Sequence, residues 1–262
     1  PGPYRLVRNG VDRGRFGPAD ATARVGARTR LGLPAGTPLA VCIGRLTRQK
    51  GQDVLVAAWP GVTARCPSAR LAIVGDGEDL DVLRRKPVAG VLFVPAVRDP
   101  RDWLAASNVV VLPSRWEGLP LTALEALATG RPLVGTDIPG LAEVVRPGVG
   151  ALVPVDDPDA LADEVARRLL VPSIAEKEGR EAAAASAAYD ISRTVALLAA
   201  VTRDVAGLPS DGTPGDPGVA DGPDVLNETL SDVLDVLHGM SDTERAPSVL
   251  DPRSHILTRT AE

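Results

Sequence analysis

The sequence of 262 residues has little of what several classes of function depend on. It contains two cysteines and two histidines, and no C-x-x-C, H-x-H or H-E-x-x-H pattern, which excludes the usual protein zinc sites. Aromatic residues make up 3% of the chain, too few for stacking on single-stranded nucleic acid. The net charge of −5 also argues against a nucleic-acid surface, because such a surface needs an excess of basic residues.

Long apolar runs are also missing. The longest covers residues 195–201, whereas a membrane-spanning helix needs ~20 apolar residues. Both histidines, His238 and His255, lie far towards the C-terminus, so we expect no Ser-His-Asp or Cys-His arrangement in the preceding part of the chain. We expect Cys42 and Cys66 to be core residues of a protein in a reducing compartment, which predicts a cytoplasmic location.

What is present is enough apolar material for a packed core, 44% of the residues. Apolar runs without alternation, typical of strands covered on both faces, lie at 39–43, 71–74, 91–94, 109–112, 132–135 and 151–155. Amphipathic segments separate and follow them at 52–65, 80–86, 101–106, 119–129, 140–145 and 160–170. The alternation predicts an α/β fold with a Rossmann-like, doubly wound parallel sheet, whose ligands bind at the carboxyl ends of the strands.

The remainder of the chain has a different character. Residues 175–206 are rich in alanine and predict one or two helices, a C-terminal helical segment. Residues 207–223 are rich in Gly, Pro and Asp, which is typical of a flexible linker or tail. Apolar residues at helical spacing in 224–238 then predict a short amphipathic helix, with a weakly ordered tail as the alternative. Because Met240 is the only methionine and the chain begins at Pro1, we expect a fragment or a processed chain.

The strongest local motif covers residues 114–126, where a buried strand passes through a Gly-Pro turn into a helix. A helix start offers free N–H groups and a positive dipole end, which together favour an anion. Pro120 suits the first helical turn, since its missing N–H costs nothing there. Glu117 and Glu125 would face the cleft above the sheet, and carboxylates beside an anion site predict a polyhydroxy ligand that carries phosphate. The alternative is a solvated loop and an ordinary helix surface.

A second motif, Gly44 to Gly51, follows the strand Leu39–Ile43 directly. Arg45 can donate two hydrogen bonds to phosphate oxygens, and Lys50 can act on them as a point charge. The alternative is a surface turn that happens to be basic. The segment lacks the G-x-x-x-x-G-K-[ST] pattern of a P-loop, so nucleoside triphosphate hydrolysis is not indicated.

A weaker motif, residues 75–78, also follows a strand. It begins like the G-x-G-x-x-G fingerprint of dinucleotide-binding proteins, but the third glycine is absent. A tight turn from strand to helix is the better interpretation.

Taken together, these residues resemble the C-terminal, donor-binding domain of the retaining glycosyltransferases of family 4, which have the two-domain GT-B fold. The resemblance covers about residues 8–170. Its elements, in chain order, are Asn9-Gly10-Val11-Asp12, Gly44-Arg45 with Lys50-Gly51, Val74-Gly75-Asp76-Gly77, Pro113-Ser114, Glu117 and Glu125 in E-x7-E spacing, Gly130-Arg131-Pro132, and Gly140 with Glu143.

The resemblance implies a role for each motif. Arg45 and Lys50, with Gly44, would hold the diphosphate of a nucleotide sugar, Glu117 would bind a hydroxyl of the transferred hexose, and Glu125 would bind the ribose. The catalytic residues would be Glu117, Arg45 and Lys50. Main chain near Val94 would face the base, and the backbone at Gly118, Leu119, Pro120 and Leu121 would meet phosphate and sugar. No metal and no cofactor is implied, because the cations and a helix terminus supply the positive charge.

The resemblance also implies a domain organisation. Residues 1–30 would be an interdomain linker, residues 31–206 the donor-binding Rossmann-like domain, and residues 207–262 the Gly/Pro-rich linker and tail. The N-terminal acceptor-binding domain of the family is absent from the sequence, so we expect this chain alone to bind a donor poorly and to transfer nothing. Peripheral membrane association through that domain is compatible with these expectations. Asn108, where many relatives have Asp, is interpreted as structural.

Three other functions remain to be weighed. A nucleotide-sugar binding protein without turnover is disfavoured, because it would have no reason to contain Arg45, Lys50, Glu117 and Glu125 together. A sugar-nucleotide epimerase of the same architecture needs additional acid–base groups, and this half offers no histidine. A response-regulator or flavodoxin-like domain gives no reason for the E-x7-E spacing. Transfer of a hexose from a nucleotide sugar to an acceptor, with retention of configuration, is therefore the predicted function.

Overall fold

A computed structural model describes residues 5–85 and 87–206. Its centre is a sheet of six parallel strands in the order β3-β2-β1-β4-β5-β6, which is the strand order of doubly wound nucleotide-binding folds. The strands are β1 (Leu39–Ile43), β2 (Arg70–Val74), β3 (Val91–Val94), β4 (Val109–Leu112), β5 (Leu133–Thr136) and β6 (Gly150–Val153). The predicted α/β fold class is confirmed, and three of the strands have the predicted bounds.

Helices connect the strands and follow the sheet. They are α1 (Ala21–Arg30), α2 (Gln52–Arg65), α3 (Leu80–Arg84), α4 (Arg101–Ala106), α5 (Leu121–Ala128), α6 (Pro139–Ala142), α7 (Pro158–Leu170), α8 (Pro172–Ala185) and α9 (Ile191–Val205). The helical prediction for 175–206 is confirmed as α8, a short 3-10 turn and α9. Helix α1 was not predicted, because few of its side chains are apolar and only Ala27 and Arg28 are buried.

Both faces of the sheet are covered, as in a doubly wound fold. On one face, α2 and α7 pack together around the fully buried Trp59. On the other face, α5 covers β4 and β5, while α1 and α4 pack beside β1 and β2. The strands are therefore apolar on both sides, which explains why the sequence shows continuous runs in place of alternation.

The two cysteines are buried and not joined to each other. Cys42 lies within β1, and burial raises the pKa of its thiol to about 12, although the nearby Lys50 acts in the opposite direction. The prediction that both are core residues is confirmed, and neither thiol is available for nucleophilic chemistry.

Asn108 has the structural role expected from the sequence. Its side-chain oxygen accepts hydrogen bonds from the Leu39 amide at 2.9 Å and from Arg28 Nη2 at 2.8 Å. It thereby joins the start of β1 to α1, at the N-terminal ends of the strands and away from their carboxyl ends.

The described chain up to Thr194 forms one compact unit, and a second unit begins at Val195. Residues 5–30, predicted as interdomain linker, contribute Val11 and Phe16 to the core of the first unit. The predicted linker and amphipathic helix at 207–223 and 224–238 lie outside the described residues, and the domain boundaries stay predictions. Among residues 5–85 and 87–206, no helix is long and apolar enough to cross a membrane.

Candidate functional site

The two strongest sequence motifs meet at the carboxyl ends of β1 and β4, which are neighbours in the sheet. Lys50 Nζ lies 2.5 Å from Glu117 Oε1, and Ser114 Oγ donates to the same oxygen at 2.9 Å. The Glu117 side chain is 8% exposed and that of Lys50 22%. Glu117 is therefore not the solvated loop residue of the alternative interpretation. The strand order reverses between β1 and β4, which is where doubly wound folds bind their ligands.

The loop after β1 is shaped by one glycine. Gly51 has a φ of 66°, in the left-handed region, and precedes α2. A Cβ at this position would lie 2.0 Å from the Pro113 carbonyl oxygen, so only glycine allows the loops of the two motifs to approach this closely. The Arg45 side chain is exposed, and its carbonyl oxygen accepts from Gln52 Nε2 at 2.9 Å. Arg45 is thus held by its backbone, with its guanidinium in solvent.

The loop after β4 leads into the N-terminus of α5. Pro120 is the N-cap residue and α5 begins at Leu121, which corrects the prediction that Pro120 lies within the first turn, because its extended ψ of 128° is not helical. No side chain caps this end, and the first turn has no acidic residue. Asn9 Nδ2 donates to the Leu119 carbonyl oxygen at 2.7 Å and fixes the loop. In the first turn of α5, the Ala123 amide donates to the Pro120 carbonyl oxygen at 3.0 Å, whereas no side chain caps the amides of Leu121 and Thr122, which point towards an anion at this helix end.

Glu125 lies on α5 in different surroundings from those of Glu117. It is half-buried, and burial raises the pKa of its carboxyl, with Asp99 adding to the rise and Arg15 opposing it. Arg15 itself lies 3.9 Å from an Asp99 oxygen. The carboxylates of the E-x7-E motif thus have separate partners, Glu117 beside a lysine and Glu125 beside an arginine and an aspartate.

The turn at residues 75–78 packs against the loop after β1. A Cβ on Gly75 would lie 1.9 Å from the Gly44 carbonyl oxygen, and the Leu46 amide donates to the Asp76 carbonyl oxygen at 2.8 Å. This turn supports the neighbouring loop, as the tight-turn interpretation expects. Val94 ends β3, and its carbonyl oxygen accepts from the Gly75 amide at 3.0 Å, so its contact with a base stays a prediction.

Arg115 is the residue that sequence reasoning missed. It lies between Ser114 and Glu117, and its guanidinium contacts Asp53 and Asp156. Its pKa is raised first by the hydrogen bonds with Asp53 and then by that with Asp156, despite partial desolvation. Burial alone would raise the pKa of Asp53, but Arg115 holds it below its usual value. These partners are 62 and 41 residues away in sequence, so no local pattern predicts the pairing. The one local indication is that Asp53 is an acidic residue in the first turn of α2.

Acidic and sulfur side chains are not gathered into a metal centre in the part of the chain that the structure describes: no group of three or more His, Cys, Asp or Glu residues could hold an ion there. Of the predicted site residues, the structure brings Lys50 and Glu117 into contact in the loops before the uncapped end of α5, while the parts assigned to Arg45 and Glu125 stay predictions. These groups can bind phosphate and hydroxyl groups together.

A protein-family model described as "Glycosyl transferases group 1" matches residues 37–170. The chain is 36% identical over 172 residues to a GDP-mannose-dependent monoacylated alpha-(1-6)-phosphatidylinositol monomannoside mannosyltransferase of Corynebacterium glutamicum, covering 61% of this chain and 45% of the relative. The chain spans about half the length of the curated relatives it matches.

Solved structures show the same fold. Sucrose-phosphate synthase from Thermosynechococcus elongatus matches with a TM-score of 0.69 and 29% identity, over 78% of this chain and 53% of that one. Anabaena Alr3699/HepE in complex with UDP and glucose matches with a TM-score of 0.65 and 23% identity, over 78% of this chain and 57% of that one.

Proposed function

The chain belongs to the group 1 glycosyl transferases, and we propose that it is the donor-binding half of an enzyme that transfers a hexose from a nucleoside diphosphate sugar to an acceptor with retention of anomeric configuration. The observation that carries this proposal is the meeting of Lys50 and Glu117 at 2.5 Å, beside the uncapped N-terminus of α5. A cation, a carboxylate and free amides in one place suit a ligand that has both phosphate and sugar hydroxyl groups.

The diphosphate is proposed to lie between the loop after β1 and the start of α5. Arg45 and Lys50 would stabilise the negative charge that develops on the leaving nucleoside diphosphate. Backbone amides of Gly118, Leu119 and Leu121 would add hydrogen bonds, while Pro120 has none to donate. Because these groups supply the positive charge, we propose that transfer needs neither a metal ion nor a cofactor.

The two carboxylates are proposed to bind the two sugars of the donor. Glu117, beside Lys50, would accept a hydrogen bond from a hydroxyl of the hexose, and Glu125, further into α5, from the ribose. Each carboxylate accepts more than one hydrogen bond, which suits vicinal hydroxyl groups. Main chain near Val94, at the edge of the sheet, would face the base.

An acceptor-binding domain is the proposed partner of this half. The relatives are about twice as long as the matched region, and they include an enzyme whose name states an acceptor with a lipid portion. We propose that transfer requires this second domain, and peripheral membrane association through it is part of the proposal. The cytoplasmic location stays a prediction from the sequence.

The test is a calorimetric and thermal-shift titration of the chain with UDP, GDP and ADP and with their sugars. A ligand at a hundred times its dissociation constant raises the free energy of unfolding by about 2.7 kcal/mol. We expect one nucleotide to be preferred, with binding lost in Arg45→Ala and weakened, but still measurable, in Lys50→Ala. Arg48→Ala is the matched control, because Arg48 contributes only its carbonyl oxygen to the contacts around the site.

Two results would overturn the proposal. Absence of binding across the panel at millimolar ligand, both for this chain and after the acceptor-binding domain is supplied, would contradict a donor site in this chain. Binding that is unchanged in both Arg45→Ala and Lys50→Ala would place the nucleotide elsewhere. A nucleotide that binds without supporting transfer once the acceptor-binding domain is supplied would instead indicate a binding protein without turnover.

A further inference from the structure

The guanidinium of Arg115 joins three segments of the chain around the candidate site. Nη1 donates to the Arg48 carbonyl oxygen at 2.7 Å and to Asp53 Oδ1 at 3.0 Å, and Nη2 lies 2.8 Å from Asp53 Oδ2. Nε donates to Asp156 Oδ1 at 2.8 Å, and Nη2 lies at the same distance from that oxygen. The guanidinium therefore donates four hydrogen bonds, and the Nη2 contact with Asp156 adds an ion pair.

The main chain reinforces this connection. The Arg115 amide donates to the Gln49 carbonyl oxygen at 2.8 Å, and Gln49 Nε2 donates to the Trp116 carbonyl oxygen at 3.0 Å. Lys50 follows Gln49 directly, and Glu117 follows Trp116 directly. The segments that contain Lys50 and Glu117, the residues proposed to bind phosphate and hexose, are thus fixed to each other through Gln49 and Trp116, which precede them directly.

The partner on the third segment has an unusual backbone. Asp156 has a φ of 58°, a left-handed conformation that is uncommon for residues other than glycine. Its carboxylate reaches Arg115 from the loop between β6 and α7. The Arg115 side chain is only 16% exposed, whereas those of Asp53 and Asp156 are 57% and 55% exposed, so the connection depends on the geometry of the guanidinium more than on shielding of its charge from solvent.

We propose that Arg115 is a positioning residue of the donor site: it fixes the loop after β1 against the loop after β4, and thereby the separation of Lys50 from Glu117. This inference rests on the proposed function, because it assigns Arg115 a task in binding the same donor. Arg115 acts through its neighbours and does not touch the donor. The planar fork is required, since a lysine has the charge but cannot span two carboxylates and a carbonyl oxygen.

The test compares Arg115→Lys and Arg115→Met with the matched pair Arg65→Lys and Arg65→Met. Arg65 forms an ion pair with Asp163 at 2.5 Å on the far part of α2, away from the site. Affinity for the nucleoside diphosphate and its sugar is measured by calorimetry, and backbone amide hydrogen exchange is followed in residues 48–53 and 114–118. Each Arg115 variant is also combined with Lys50→Ala.

We expect both Arg115 variants to weaken binding of the nucleotide sugar ~10-fold, because a misplaced Lys50 loses much of its charged hydrogen bond to phosphate, a contribution of this order in affinity. Amide exchange in the two loops is expected to accelerate, while the Arg65 variants leave both quantities unchanged. In the Lys50→Ala background, loss of Arg115 is expected to cost much less affinity, because a positioning effect is not additive with removal of the group it positions.

The outcomes separate this inference from the proposed function. Unchanged exchange in the two loops, unchanged affinity of Arg115→Lys for the nucleotide sugar, or additive losses with Lys50→Ala would overturn the role of Arg115. If the unsubstituted chain binds no nucleoside diphosphate even after the acceptor-binding domain is supplied, the proposed function fails, and the exchange measurement alone decides whether Arg115 holds the loops together.

Discussion

Replacing Glu117 by glutamine separates the two tasks of the candidate site, because the carboxylate both pairs with Lys50 and is proposed to bind the hexose. Glutamine keeps the shape and a hydrogen-bonding oxygen but removes the charge. Lys50 is then released from its ion partner, and the repulsion between the Glu117 carboxylate and a diphosphate disappears. Affinity for the bare nucleoside diphosphate is therefore expected to rise, while the additional affinity contributed by the hexose is expected to fall.

The magnitude follows from the contact. A hydrogen bond to a charged group contributes ~1.5–3 kcal/mol, but the Lys50 side chain is 22% exposed, so solvent screening reduces the net competition to ~1 kcal/mol. That corresponds to ~5-fold tighter binding of the nucleoside diphosphate without sugar. The hexose loses its charged acceptor, so the preference for nucleotide sugar over nucleotide is expected to fall ~10-fold or more.

The assay is calorimetric titration of Glu117→Gln with the preferred nucleoside diphosphate and with its sugar, at two salt concentrations. The matched control is Asp163→Asn, whose pair with Arg65 has the same 2.5 Å distance as the Lys50–Glu117 pair. We expect no change in the control. Weaker binding of the bare nucleotide to Glu117→Gln would refute the reasoning, because it would mean that the carboxylate does not compete with phosphate for Lys50.

Three further predictions address other parts of the molecule. Because the pKa of the Glu125 carboxyl is raised, this group becomes protonated at a higher pH than an ordinary glutamate, and nucleotide affinity should fall as the pH is lowered through that pKa. Glu125→Gln should remove this loss of affinity at low pH. Equal pH profiles of the two proteins between pH 5 and 8 would contradict the prediction. Cys42 and Cys66 are buried, so neither should react with a thiol reagent at pH 8 until the chain is unfolded in guanidinium, and rapid labelling of the native protein would disprove this. Gly51→Ala should lower the free energy of unfolding by about 2 kcal/mol or more, because Gly51 has a φ of 66° and the new Cβ would lie 2.0 Å from the Pro113 carbonyl oxygen. Gly36→Ala is the control, since a Cβ there meets nothing within 4 Å, and it should change the melting temperature little.

The sheet was predictable because its signal is local. Runs such as Val109–Leu112 are apolar on both sides of the strand, and burial on both faces permits little else. Helix bounds were less accurate, since α7 begins at Pro158 with Asp157 as its cap, two residues before the first apolar residue of the pattern. Helix α1 was missed although Asp20 accepts from the Ala23 amide at 2.7 Å, a capping signal that could have revealed it.

The site was predictable only in part, because its parts come from distant segments. The sequence placed Lys50 and Glu117 at strand ends, but not beside each other, since the order of strands in the sheet decides which ends are neighbours. The role of Arg115 could not be predicted locally, because its partners Asp53 and Asp156 lie on distant segments, at the start of α2 and in the loop between β6 and α7. The two carboxylates of one motif also proved to have different surroundings, which the E-x7-E spacing alone does not indicate.

The adjacency of β1 and β4 has a consequence for how the chain acquires its binding site during folding. Lys50 and Glu117 are 67 residues apart, and between them the chain must form β2 and β3 on the other side of β1. Closing so long a loop is slow and costs entropy before any contact compensates for it. A nascent chain that has formed only the first three strands therefore has Lys50 without Glu117, and the proposed affinity for a donor would arise only when β4 docks.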